Sequence, residues 1–214
     1  MKIIDLSHAI TPEMPVYPGT EQPLLEAGST YEKDGFRETK ITMYSHVGTH
    51  MDAPAHIFAE GRTLDQFPPE QFTGKALAVD CRGIPEGGSI TPERILCYGR
   101  KAEEADFLLF NLGWDKRWGT PGYFGDYPCL DDGALDLVIR GGYKGIGFDV
   151  IGLDPVDDAD LTRHKKLFSA RDIINIENLC NLEQCGAELF RFICFPLKFR
   201  NADGSPVRAV AFLE

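Results

Sequence analysis

Short apolar runs alternate along the chain with segments that carry helix signals. Residues 2–6 and 36–44 read as strands, the second leading straight into a stretch dense in histidine. Ala76-Leu77-Ala78-Val79-Asp80-Cys81 is a short apolar run closed by Gly83 and Pro85, and Phe107-Leu108-Leu109-Phe110-Asn111-Leu112 is another. Both predict buried strands. Residues 143–149 predict a third, with glycines that let neighbouring backbones come close. Between these runs, Thr91 is placed to cap a helix with Pro92 at its first position, and good helix formers continue from Arg94 to Glu104. Asp131 to Ile139 predicts a helix stopped by Gly141-Gly142, and residues 160–167 the start of another. This order predicts an α/β fold: a mixed sheet with flanking helices, and functional loops at strand ends.

With 214 residues, 43% of them hydrophobic, and no internal repeat or linker, residues 1–214 are expected to form a single domain. The N-terminal stretch lacks a charged segment followed by an apolar run and a cleavage site, and nowhere are about eighteen apolar residues consecutive. The expectation is a cytoplasmic protein with no membrane partner. Six cysteines without a C-x-x-C pair argue for reduced, mostly buried thiols. A net charge of -11 opposes binding to phosphate backbones, so nucleic acid is not an expected partner.

Three of the five histidines fall in His46-Val47-Gly48-Thr49-His50-Met51-Asp52-Ala53-Pro54-Ala55-His56. Such clustering points to a metal or an acid/base site. Donor atoms around one ion must converge to about 2.0–2.2 Å from it. A regular helix would turn Asp52 away from His46 and His50, and a regular strand would hold the two histidines about 13 Å apart. The segment must therefore bend between them, and Gly48 is the residue free to turn. Pro54 biases Ala53 to an extended conformation and presents His56 from a stiff turn. Imidazole and carboxylate donors suit zinc, manganese or cobalt. The competing view is a set of surface or core histidines on a loop. His8, alone in a strand-like stretch, is expected to be a hydrogen-bonded structural residue.

Any such centre needs further protein groups from the second half of the chain. His164 is one candidate. Glu177, within Ile173-Ile174-Asn175-Ile176-Glu177-Asn178-Leu179, is the other, because a carboxylate among isoleucines is costly to bury unless paired or bound to a cation. The alternative for Glu177 is a helix-edge glutamate paired with an arginine. No G-x-S-x-G elbow or activated cysteine motif is present, so nucleophilic catalysis ranks last.

The H-x-G-T-H-x-D-x-P-x-H run at 46–56, Pro15-Val16-Tyr17-Pro18-Gly19, residues 111–119, Gly145-Ile146-Gly147-Phe148-Asp149, Ile176-Glu177-Asn178-Leu179, Phe195-Pro196-Leu197-Lys198 and 203–208 together cover nearly the whole chain. In these motifs the chain resembles the cyclase-like metal-dependent hydrolases, which include bacterial kynurenine formamidases (arylformamidases) and isatin hydrolases. The resemblance implies a swivelling β/β/α fold and two divalent ions per subunit, zinc first and manganese as the alternative. It implies that His46, His50 and Asp52 bind one ion, and that Asp52 touches a second together with His164 and a bridging Glu177. His56 would be the catalytic acid/base and Tyr17 a substrate-binding residue. Tyr17 stands where formamidases typically carry tryptophan, and Gly152 where many relatives have serine. The implied reaction is hydrolysis of a carbon–nitrogen bond in a small amide by hydroxide generated at the metals, with N-formyl-L-kynurenine of tryptophan catabolism as the first substrate. Opening of a cyclic amide or lactone is the near alternative, and a non-catalytic metal-binding protein the alternative of another class. The implied partner is a second copy of the chain, in a homodimer or homotetramer whose neighbouring residues close the pocket.

Overall fold

Alternation of side chains across each strand decides which layer a residue serves. The computed structural model describes residues 1–214. In chain order, β1 (Lys2–Asp5) is followed by a hairpin of β2 (Leu24–Ser29) and β3 (Glu38–Thr42) with the single turn α1 (Tyr31–Asp34) at its tip. Then come β4 (His50–Asp52), β5 (Thr73–Asp80), β6 (Ser89–Ile90), α2 (Pro92–Leu96), α3 (Arg100–Glu104), β7 (Phe107–Asn111) and β8 (Cys129–Leu130). The chain continues through α4 (Asp132–Gly141), β9 (Gly145–Phe148), α5 (Thr162–Ala170), β10 (Ile174–Glu177), β11 (Phe190–Pro196) and β12 (Gly204–Leu213).

Strands β5, β7, β9 and β10 run parallel side by side. Antiparallel β4, β12 and β11 return from β10 to β5, so the mixed sheet closes on itself, with β1 added along β12. Closure leaves the ring strands without open edges. Ala76, Ala78, Phe107, Leu109, Ile174, Ile176, Phe190, Phe192, Ala209 and Ala211 pack together inside the ring. Large residues face small ones across the ladder, Phe190 opposite Ala76 and Phe192 opposite Ala211, which fills the interior without overcrowding. On β9 the inward positions are Gly145 and Gly147. A Cβ on Gly147 would lie 2.7 Å from Leu179 and 2.9 Å from Leu109, so the close approach expected for this strand is a packing requirement.

The opposite face carries Leu77, Val79, Leu108, Phe110, Ile146 and Phe148, covered by Ala134, Leu135 and Val138 of α4 and by Leu167 and Phe168 of α5. Helix α4 begins and ends where the sequence indicates. The Asp131 side chain accepts the Ala134 N–H at 2.7 Å, and Gly142 leaves in the left-handed region.

Two expectations change. The helix expected from Pro92 to Glu104 breaks into α2 and α3 because Gly99, at φ 53° and ψ -127°, leaves helical space. The strand expected over 36–44 shortens to β3 and pairs with the unanticipated β2 in a hairpin whose strands are almost wholly exposed. No helix is long and apolar enough to cross a membrane.

Overpacking the inner face of β9 is a direct test of ring packing. Gly147→Ala should lower unfolding free energy by about 1–3 kcal/mol in denaturant titration. An unchanged midpoint would show that the interior has room to spare.

Candidate metal centre

Gly48, at φ +63°, makes the bend that the histidine spacing demands. Its carbonyl accepts the Asn178 Nδ2–H at 2.8 Å and holds His50 Nδ1 at 2.9 Å, so the turn itself orients an imidazole. After the bend the chain runs straight for three residues as β4, where Met51 points into the ring core and His50 and Asp52 point outward. The ladder then places Glu177 opposite His50 and Asn175 opposite Asp52. Two adjacent strands thus present four polar side chains on one outer face. Helix α5 covers that face and inserts His164. Ala53 is extended, and Pro54–His56 forms a single 3-10 turn that brings the His56 ring to 3.9 Å from that of His46.

Asp52 lies at the middle of the group. Its Oδ1 is 2.7 Å from His46 Nδ1 and 3.4 Å from His50 Nε2, and its Oδ2 is 3.5 Å from His164 Nε2. Glu177 spans the same histidines, with Oε2 at 3.4 Å from His50 Nε2 and Oε1 at 3.3 Å from His164 Nε2. The donor atoms of His46, His50 and Asp52 fall within 4.8 Å of one another, as do those of Asp52, His164 and Glu177. Asp52 is common to both sets. A third grouping, His46, His56 and Asp203, gathers on the cavity side. The structure therefore brings together all six residues that the sequence singled out for metal binding and acid/base work. Glu177 sits in a strand facing histidines, with no arginine beside it.

The residues fit a divalent cation. Each of the three imidazoles has its other nitrogen tied down: His50 Nδ1 to Gly48, His164 Nδ1 to Asp154 Oδ2 at 2.6 Å, and His46 Nε2 to Asp203 Oδ2 at 2.9 Å. Such outer partners orient ligating histidines. Without an ion, His46 and His164 carry balancing charge. Burial opposes ionisation of Asp52, but His164, His46 and His50 outweigh it and hold the carboxyl well below the usual range. Burial also opposes a charged His46, yet Asp203 and Asp52 raise it to about 10. His164 is raised well above its ordinary value against the same burial penalty, by Asp154, Asp52 and Glu177. His56 goes the other way: burial lowers it, helped by positive His46 and His164 and opposed by Asp52 and Glu177. It is a neutral imidazole, able to take up a proton.

The centre opens into a cavity of about 680 Å³ lined by Val16, Tyr17, Tyr44, His56, Ile151 and Leu161 among others. Tyr17 lines it and donates its hydroxyl to the Val156 carbonyl at 3.0 Å. His8 is structural, its backbone N–H donating to Thr49 Oγ1 at 2.9 Å. The imidazole stacks on Trp118 with centroids 3.9 Å apart, its Nε2 has no partner, and burial lowers it to about 4. Asp154, Asp203 and Asn175 hold site residues without standing out in the sequence. The first two look like ordinary loop aspartates, whereas Asn175 shares the period-two face of Glu177 and is detectable once 174–177 is read as a strand.

The chain belongs to the Cyclase family ("Putative cyclase"), which matches residues 4–155. A kynurenine formamidase of Salinibacter ruber (strain DSM 13855 / M31) is 29% identical over 214 residues, covering 98% of this chain and 97% of the relative. Among solved structures, isatin hydrolase A from Labrenzia aggregata, bound to benzyl benzoate, superposes with a TM-score of 0.87 at 28% identity, covering 98% and 93% of the two chains. A potential metal-dependent hydrolase with cyclase activity superposes at 0.76 with 26% identity, covering 98% and 96%.

The metal-free protein should show the His46 ion pairs directly. A histidine raised from 6.5 to about 10 contributes stability that is fully present below pH 6.5 and is lost as pH rises towards 10. In an NMR titration of metal-free protein His46 should stay protonated through neutrality, and Asp203→Asn should lower its midpoint. A midpoint near 6.5 in the unsubstituted protein would contradict these contacts.

Proposed function

We propose that this protein is a metal-dependent hydrolase that cleaves the carbon–nitrogen bond of a small amide, with N-formyl-L-kynurenine as the first substrate to test. The observation that carries the proposal is Asp52, a buried carboxylate common to two three-donor sets whose other members, His46, His50, His164 and Glu177, line an open cavity. The likeness to a formamidase over nearly the full length of both chains supports the bond type. His46, His50 and Asp52 would hold one ion and Asp52, His164 and Glu177 a second. Zinc is the first expectation and manganese the alternative. Such a pair supplies Lewis acidity, making water ionisable near neutral pH and polarising a carbonyl oxygen.

The chain's own residues do the rest. His56, neutral and facing the cavity, accepts a proton as water adds to the carbonyl carbon and returns it to the departing nitrogen. Asp154 and Asp203 keep His164 and His46 from rotating. Tyr17, pinned to Val156, forms an aromatic wall for a ring-bearing substrate. Opening of a cyclic amide or lactone is the second reading, favoured by the superposition on isatin hydrolase A. A purely metal-holding role leaves a neutral cavity-facing His56 without a task.

The same proposal includes self-association and a cytoplasmic place in tryptophan catabolism. A two-stranded hairpin is marginal on its own in water. Yet β2 and β3 and the segments flanking β3 expose Leu24, Leu25, Phe36, Ile41 and Tyr44, and Tyr44 also lines the cavity. A second copy of the chain is the occupant that would cover this arm and close the pocket. Leu25→Asp with Ile41→Asp should convert a dimer or tetramer to monomer in sedimentation equilibrium. A wild-type monomer would remove the association.

Turnover of N-formyl-L-kynurenine, isatin and simple lactones, measured with chelator and after metal replacement, tests the reaction. One of these should be hydrolysed, lost with chelator and restored by metal, whereas chelator-insensitive turnover would overturn metal dependence. His56→Ala should retain metal and lose about 10²–10⁴-fold in rate. Asp52→Ala should lose both metal and activity, and full metal occupancy in that variant would contradict its shared position.

A further inference from the structure

Asn175 is wholly buried on β10, directly opposite Asp52 and two residues before Glu177. Its Nδ2 lies 2.9 Å from Asp52 Oδ2, 2.8 Å from Glu177 Oε1 and 3.4 Å from His164 Nε2, while its Oδ1 is buried with no hydrogen-bond partner. We propose that Asn175 is a positioning residue of the metal centre, whose two amide N–H groups hold the Asp52 and Glu177 carboxylates in the arrangement that an ion shared with His164 requires. This rests on the metal-dependent function proposed above.

The chemistry of the position narrows to a neutral donor. An amide nitrogen has two hydrogens, and the two carboxylates take both. Fixing Asp52 Oδ2 and Glu177 Oε1 sets the rotation of each carboxylate, leaving Asp52 Oδ1 towards His46 and His50 and Glu177 Oε2 towards His50. Asn175, joined at Glu177 Oε1 by the Leu153 backbone N–H at 2.9 Å, thereby apportions the oxygens of both carboxylates. Lysine or arginine here would compete with a cation, aspartate would add a third buried negative charge, and an aliphatic side chain would leave both carboxylates short of donors. The reverse amide orientation would set oxygen against two carboxylate oxygens.

The test is competitive titration of metal-free wild type, Asn175→Leu and Asn175→Ser with Zn²⁺ against a chromophoric chelator, together with the visible spectrum of the Co²⁺-loaded proteins. Leucine matches the shape of asparagine without donors, and serine keeps one donor. In the leucine variant, affinity for one ion should fall about 10–100-fold. The Co²⁺ spectrum should change with it, and the serine variant should fall between leucine and wild type. A folded leucine variant with wild-type affinities and spectrum overturns the proposal. If leucine prevents folding, wild-type affinities and spectrum in the serine variant overturn it instead. Wild type that takes up no ion refutes the proposed function and this inference together, whereas wild type that loads metal beside unaffected Asn175 variants refutes this inference alone.

Discussion

Two buried carboxylates without a lysine or arginine between them set the terms for the rest of this structure. Asp52 and Glu177 are paired only with imidazoles, one asparagine amide and, for Glu177, the Leu153 backbone N–H. Removing a carboxylate from water costs several kcal/mol per ion, and a permanent cation such as arginine is the usual remedy where structure alone is at stake. Imidazole is a different remedy. It neutralises a neighbouring carboxylate when protonated, and it becomes a ligand when the proton is exchanged for a metal. The raised basicity of His46 and His164 in the absence of an ion therefore reports the negative potential that would draw a cation in.

The closed sheet exists, for the purposes of this site, to fix a register. Because β4 pairs with β10 residue for residue, His50 meets Glu177 and Asp52 meets Asn175 with no freedom to slip, since a one-residue shift would turn Met51 and Ile176 out of the ring core. Hydrophobic packing thus enforces the placement of charged groups. The remaining pieces come from less regular structure: a glycine turn for His46, a 3-10 turn for His56 and the first turn of α5 for His164.

What was legible in the sequence was what is local. The bend at Gly48, the stiff exit at Pro54 and the roles open to His46, His50, Asp52 and His56 all follow from spacing within eleven residues. His164 and Glu177 stood out because each is chemically conspicuous against its neighbours. Asp154 and Asp203 were not legible, since an aspartate in a loop carries no mark of the distant histidine it will hold. The apolar runs that became β5, β7 and β9 announced themselves by burial on both faces, whereas β2 is exposed along nearly its whole length and leaves no pattern to detect. Good helix formers from Arg94 to Glu104 concealed a break that depends on the backbone of one residue, Gly99. The class of reaction came from likeness of motifs, while the residues themselves indicated a cation.

Anomalous diffraction from crystals of the metal-loaded protein, recorded at the absorption edge of the bound ion, addresses the central claim most directly. Two peaks are expected on either side of the Asp52 carboxylate, one among His46, His50 and Asp52 and the other among Asp52, His164 and Glu177. Density confined to surface carboxylates, with Asp52 still paired to histidines alone, would contradict it.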